Sequence, residues 1–261
     1  MVEAPLLTVI LPCFNEGPTL RNSLERLLAA LEGSPWSHEV IFVDDGSRDD
    51  TRATVERFCA ERPGAPLRTA HHDRNRGRGA AVLTGLAAAR GEVAGFLDID
   101  LEVSEQYIAP CVQAVLDGAD VAVGRRFYDL QPHSLLRHVL SRGYAACVRA
   151  LLGTRLRDTE SGFKWFRLQA ILPLVPTLAH RGWFFDTEIM VRAERAGLRI
   201  AEVPVRFVRR FDKASTVRPL RDSVAYLLAL VRFRAALLTE RRPASRPRAA
   251  REQAGDAAPG R

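Results

Sequence analysis

Short, largely apolar runs alternate with helical patterns through the first half of the chain. Leu6–Leu11, Glu39–Val43, Leu67–His71, Val93–Leu97 and Val121–Val123 read as strands. Between them, Thr19–Leu31, Thr51–Arg62, Gly79–Ala89 and Glu105–Leu116 carry apolar residues at helical spacing, with Ser104 placed to cap the last. This alternation predicts an α/β fold with a mostly parallel central sheet flanked by helices. Such sheets bind ligands beyond the carboxyl ends of their strands, near the point where strand order reverses. The residues just after each strand are therefore the ones to weigh.

Beyond Gly124 the pattern changes. The amphipathic stretch Leu135–Leu152 leads into the polar-aromatic segment Arg157–Arg167. A helix near Asp186–Ala196, a strand near Ile200–Phe207 and a long apolar helix near Leu220–Leu238 follow. Leu135, Leu136, Val139, Leu140, Tyr144, Val148, Leu151 and Leu152 fall largely on one helical side, with Arg137, Arg142 and Arg149 around it. Such a helix either lies in a membrane interface or packs on the sheet, and Val224–Val231 followed by Arg232 and Arg234 admits the same two readings. From Arg241 onward, proline with alternating arginine and alanine cannot form a core, and disorder is expected. The expected organisation is one domain over 1–240, with halves of about 1–126 and 127–240, and a basic tail over 241–261. No apolar run approaches the ~20 residues that a spanning helix needs.

Charge and cysteine change this picture little. The net charge is +7, but the segment from Arg241 holds six arginines against Glu252 and Asp256, so it supplies four of the seven. The body is only mildly basic, which suits an anionic substrate or membrane surface. The basic excess lacks interleaved aromatics, which argues against nucleic acid. Cys13, Cys59, Cys111 and Cys147 are widely spaced and read as reduced thiols of a cytosolic protein rather than a disulfide or zinc set. The N-terminus enters an apolar strand at once, without the pattern of a signal peptide.

Three segments at strand ends carry candidate chemistry. Asp44-Asp45-Gly46-Ser47 follows the second strand, where its carboxylates would suit the ribose and base of a nucleotide; a plain Asp-Gly turn is the alternative. Asp98-Ile99-Asp100 follows the fourth strand, and residues two apart in extended backbone point one way, so Glu102 joins them. Three hard oxygen donors at that spacing suit Mg²⁺ or Mn²⁺ bridging a diphosphate. Arg74-Asn75-Arg76-Gly77-Arg78-Gly79 opens a helix of small residues, a setting that attracts phosphate. Val82 occupies the third glycine position of a dinucleotide fingerprint, which excludes a Rossmann dehydrogenase. The six histidines show no metal-binding spacing, and neither a Ser-His-Asp nor a Cys-His set is recognisable.

Taken together the motifs resemble the family 2 glycosyltransferases of GT-A fold, in particular the dolichyl-phosphate glucosyltransferase and mannosyltransferase branch. The matching pieces are Ile10–Glu16, Val43–Ser47, Asn75–Ala81, Leu97–Leu101, Val123–Arg126, Asp158–Lys164, Trp183–Glu188 and Ile200–Val205, in the family's order from about residue 6 to 238. The resemblance implies that Pro12, Phe14, Asn15, Glu16, Asp44, Asp45, Arg76 and Gly77 hold the donor. It implies that Asp98 contacts the donor, that Asp100 and Glu102 bind the metal, and that Arg125 and Arg210 pair with phosphate. Asp158, Lys164 and Lys213 fall on the acceptor side. Glu102 stands where the mannosyl branch has Gln, Thr216 stands where that branch has a lysine, and Asp-Thr-x-x-Gly-Phe-Lys is closer to the glucosyl branch.

The implied reaction is hexose transfer from UDP-glucose or GDP-mannose, glucose favoured, to a polyprenyl phosphate. The implied setting is the cytoplasmic membrane face, with inversion in a single displacement. A phosphate acceptor is already anionic and needs no strong base. A hydroxyl acceptor would need one, with Asp158 or Asp186 as first candidates. A sugar nucleotidyltransferase is a further alternative, weakened because Pro12-Cys13-Phe14-Asn15-Glu16 replaces the glycine-rich loop it would carry after the first strand.

Overall fold

The structure, a computed structural model, describes residues 4–128, 135–209 and 219–240. Its strands are β1 (Leu7–Cys13), β2 (His38–Asp44), β3 (Leu67–His71), β4 (Val93–Leu97), β5 (Val121–Tyr128), β6 (Phe163–Arg167) and β7 (Ile200–Phe207). Its helices are α1 (Leu20–Glu32), α2 (Thr51–Ala60), α3 (Arg78–Ala88), α4 (Ile108–Leu116), α5 (Leu135–Leu152), the short α6 (Leu168–Ile171), α7 (Phe185–Arg195) and α8 (Pro219–Thr239). The strands form one sheet in the order β3-β2-β1-β4-β6-β5-β7. Strand order reverses between β1 and β4, and both β2 and β4 pair with β1 in parallel.

The expected α/β fold with a mostly parallel sheet is the fold found. β6 is the exception, antiparallel to both β4 and β5. It lies within the segment read from the sequence only as polar-aromatic. Its reversed direction has a consequence for the site. The start of β6 lies beside the end of β4, with Leu97 opposite Phe163, so the residues preceding β6 arrive at the carboxyl edge of the parallel strands.

Each strand of the centre is buried on both faces, which explains its near-continuous apolar sequence. In β1, Leu7, Val9 and Leu11 face one core, shared with α1, α2 and α4. Ile10 faces the other, shared with α3 and α7. A third core joins Val148 and Leu152 of α5, Val191 of α7, and Leu230, Phe233 and Leu237 of α8 around Phe184. Of the two readings of Leu135–Leu152, the described positions Val148 and Leu152 pack on neighbouring helices, while Leu151 is exposed. α8 is apolar on two sides: Leu230, Phe233 and Leu237 point inward, while Leu227, Leu228, Val231 and Leu238 are each more than half exposed. No helix among the described residues is long and apolar enough to cross a membrane.

Candidate active site

The loops after β1 and β2 are stitched together by side chains that accept backbone hydrogens. The Asn15 amide donates to Ser47 Oγ (3.0 Å), the Glu16 amide to Thr51 Oγ1 (2.8 Å), and the Arg48 amide to Asn15 Oδ1 (2.9 Å). Asn15 reaches this position in the left-handed region at φ 52°, which Asn tolerates better than most residues. Asp44 Oδ1 accepts the Ser47 amide at 3.2 Å, the local turn that an Asp-Gly-Ser sequence favours. Pro12 is buried, while Phe14, Asn15 and Glu16 are part-exposed at the edge.

Asp45 does something the sequence did not suggest. It is buried, and its carboxylate accepts the amides of Arg76 (2.9 Å) and Gly77 (2.8 Å) and faces His72 Nδ1 at 2.6 Å. His72 Nε2 in turn lies 2.9 Å from Thr84 Oγ1 of α3. Asp45 therefore organises the loop that starts α3, and its oxygens turn inward rather than toward the edge. Gly77 caps that helix at φ 101°, and a Cβ there would strike the Arg181 carbonyl oxygen, so the loop requires glycine.

The same loop separates its arginines. Arg74 and Arg76 are exposed. Arg78, the first residue of α3, has a buried side chain that donates from Nε to Asp98 Oδ1 and from Nη1 to Asp186 Oδ2, both at 2.6 Å. Asp186, at the start of α7, also accepts Lys164 Nζ at 2.7 Å, and Lys164 is fully buried in β6 and donates to the Ser161 carbonyl. Burial lowers the ammonium pKa of Lys164; it also pulls that of Arg78 down, but Asp186 and Asp98 outweigh it and the net shift of the guanidinium is up. Lys164, one of the residues expected on the acceptor side, is a fully buried strut of β6. Gly162 sits against this cluster so closely that a Cβ would overlap Asp98 Oδ2 and come within 2.6 Å of Arg78 Nη2.

Asp158 is held by Arg126, which donates to its two oxygens at 2.7 and 2.9 Å. Burial pushes the Asp158 carboxyl up, but Arg126 outweighs it and the net shift is down. Asp158 and Asp186 are thus both committed to cations, a poor arrangement for the bases that a hydroxyl acceptor would require. Arg125 is part-exposed, its guanidinium 4.7 Å from the centre of the Phe127 ring. Arg210 and Lys213 lie outside the described residues.

Asp98 keeps 36% of its side chain accessible at the end of β4. Burial, then Asp98 and Glu102, push the Asp100 carboxyl up to about 7, with Glu16 adding to the effect. Among the described residues no three carboxylate, histidine or cysteine groups form a ready-made metal cage. The donor chemistry nevertheless fits a hard divalent cation: Asp100 and Glu102 offer carboxylate oxygens amid surplus negative charge, and such ions commonly take their remaining ligands from phosphate and water.

Comparison with known proteins bears on the family and the fold. Residues 8–173 match the model of glycosyl transferase family 2. Glycosyltransferase AglD of Haloferax volcanii is 35% identical over 220 residues, covering 82% of this chain and 35% of that protein. A dolichyl-phosphate beta-glucosyltransferase of Dictyostelium discoideum is 29% identical over 242 residues, 87% of this chain and 73% of that protein. This chain thus spans about a third of the Haloferax protein and nearly three quarters of the Dictyostelium one. Glucosyl-3-phosphoglycerate synthase of Mycobacterium tuberculosis, solved with UDP, superposes with a TM-score of 0.63 at 25% identity, over 89% of this chain and 80% of that one. The same enzyme has been crystallised with Mn²⁺, UDP and glucosyl-3-phosphoglycerate, and in that form aligns at 24% identity. With the family model covering more than half of the sequence and a matching fold beneath it, the chain belongs to glycosyl transferase family 2.

Proposed function

We propose that this chain transfers glucose from a nucleotide-glucose, UDP-glucose in the first instance, to the phosphate of a polyprenyl lipid of dolichyl type, with inversion at the anomeric carbon. The observation that carries the phosphate acceptor is the pairing of Asp158 with Arg126 and of Asp186 with Arg78 and Lys164, which engages both acids that a hydroxyl acceptor would use. Kinship with a protein named dolichyl-phosphate beta-glucosyltransferase over 87% of the chain supports the same reading and favours glucose.

In this reading the loops after β1 and β2 receive the nucleotide, with Phe14, Asn15, Glu16 and Asp44 at the edge and Asp45 behind them, fixing Arg76 and Gly77. Asp100 and Glu102 would hold Mg²⁺ or Mn²⁺. Bound there, the ion supplies charge neutralisation for the leaving diphosphate. Asp98 orients the sugar, and Arg125 and Arg210 offset phosphate charge. The acceptor phosphate arrives ionised, so catalysis rests on positioning and electrostatics. The outward apolar side of α8, with Arg232 and Arg234 beside it, supports a peripheral seat at the cytoplasmic membrane face.

The test is incorporation of labelled sugar into organic-extractable lipid by purified protein, with polyprenyl phosphate, Mg²⁺ or Mn²⁺, and UDP-glucose or GDP-mannose in parallel. Labelled lipid from UDP-glucose, abolished by EDTA and reduced on the order of 10³-fold by Asp100→Ala, is the expected result. Label from GDP-mannose alone would reassign the sugar. Donor hydrolysis without labelled lipid would move the acceptor to a hydroxyl compound.

A further inference from the structure

Among the described residues, the ionic cluster around Asp186 contains one carboxylate more than its cations balance. Arg78, Arg126 and Lys164 face Asp98, Asp158 and Asp186, three against three, in contacts of 2.6–2.9 Å. Glu160 is the fourth acid. Among the described residues its near cation is Arg126, 3.9 Å away and already committed to Asp158. The remaining groups that bear on Glu160 are Asp158, Asp186 and Lys164. The phenols of Tyr144 on α5 and Tyr226 on α8 stack edge to face at 5.7 Å, and Glu160 is the first charged group to act on each of them.

Glu160 is also accessible, with 28% of its side chain exposed, and it precedes β6 at the sheet edge that carries Asp98. Two donors of the same cluster, Arg78 Nη2 and Ser161 Oγ, are buried with no acceptor. A part-exposed acid next in the chain to an unmet hydroxyl, that of Ser161, suits a ligand rich in acceptor oxygens. An ionised Glu160 would repel such a ligand. A protonated one balances the described charges and supplies a donor of its own.

Resting on the acceptor assigned above, we propose that Glu160 binds the acceptor phosphate as a neutral carboxylic acid, its O–H donating to a phosphate oxygen. A polyprenyl phosphate arriving as the monoanion can leave its proton on Glu160 and react as the dianion; arriving as the dianion, it requires Glu160 already protonated. Either way one proton resides on the carboxyl, while the phosphate oxygen attacks the anomeric carbon and the bond electrons leave with the nucleoside diphosphate.

Burial, with Asp158 and Asp186 adding to it, raises the Glu160 carboxyl to about 7, against the pull of Arg126 and Lys164. The phosphate itself is fully ionised above about pH 7, since its second pKa is about 6. Between pH 7 and 9, therefore, the KM for polyprenyl phosphate should rise in the wild type, approaching about tenfold per pH unit. The KM for UDP-glucose should not follow it.

The experiment measures both constants from pH 6.5 to 9 for the wild type, Glu160→Gln and Glu160→Ala. Glutamine keeps the size and a permanent neutral donor, so its acceptor KM should be flat and low across the range. Alanine keeps neither, and its acceptor KM should be high at every pH. An acceptor slope that survives in Glu160→Gln overturns the proposal, as does a slope that appears in the donor constant instead. Loss of turnover in Glu160→Gln at every pH would make Glu160 a general base and overturn it too. If the wild type transfers no glucose to polyprenyl phosphate, the assigned acceptor falls and the proposal falls with it, an outcome distinct from a wild type that transfers with the wrong pH dependence.

Discussion

The two sides of the site are held by different forces. On the side of β1 and β2, side-chain oxygens accept backbone amides: Asn15, Ser47, Asp45 and Thr51 all fix main chain. On the side of β6 and α7, charge meets charge in the chain Asp98–Arg78–Asp186–Lys164. Each bond of the first kind contributes about 1 kcal/mol and can be lost singly. The second kind is coupled. Its members are nearly inaccessible apart from Asp98, and removing one strands the others in a low-dielectric setting. The edge proposed to hold the nucleotide, built from backbone, and the edge built from buried ions should therefore fail in different ways.

The largest failure should come from Asp186→Ala. It leaves Lys164 and one arm of Arg78 without their counter-charge inside the protein, and about 3–5 kcal/mol of stability should be lost. Thermal or urea unfolding checks this. A loss below about 1 kcal/mol would mean that the ion chain is solvated and the contrast between the two sides is false.

Gly162→Ala probes the same side without removing a charge. The added Cβ collides with Asp98 and Arg78, whose positions are fixed by their mutual pairing and by Asp186. Overpacking of this kind costs about 1–3 kcal/mol. Displacement of Asp98 should lower kcat while the UDP affinity, measured by calorimetry, changes little. Equal loss of both would show that the two sides move together.

On the other side, Asp45→Asn exchanges one carboxylate oxygen for an amide nitrogen where Arg76 N, Gly77 N and His72 all need an acceptor. One buried hydrogen loses its partner, at about 2 kcal/mol. Because that loop sets the start of α3, UDP binding should weaken along with stability. Unchanged UDP affinity would remove the Asp45 loop from the donor edge.

This contrast also explains what the sequence could convey. β1, β2, β4 and the helices between them are local patterns, and their period is visible in any window of ten residues. β6 escaped as a strand because its five residues include Lys164, and a lysine in a central strand argues against burial unless its partner is known. That partner, Asp186, is 22 residues away, and Arg78 is 108 residues from the same carboxylate. Spacing within Arg74–Gly79 likewise cannot say which arginine turns inward. Asp45 was legible as a strand-end acid but not as an inward-facing one, because a carboxylate that caps amides and one that meets a ribose share one local sequence.

The smallest effect separates the two sides by pH. Glu160 belongs to the ionic side, and its carboxyl is raised from 4.5 to about 7, chiefly by burial. The folded protein therefore holds this proton more tightly than the unfolded chain. The sign follows: stability from this group is full below about pH 4.5, declines as pH rises toward 7, and is flat above. The full shift corresponds to about 3 kcal/mol, but the carboxylate is 28% exposed and solvent screens it, so about 1 kcal/mol is expected. Glu160→Gln cannot titrate, and its stability relative to the wild type should improve by that amount between about pH 4 and 8. A pH-independent difference would mean that Glu160 is ionised at little cost in the folded state, and that the cations of this cluster balance four acids rather than three.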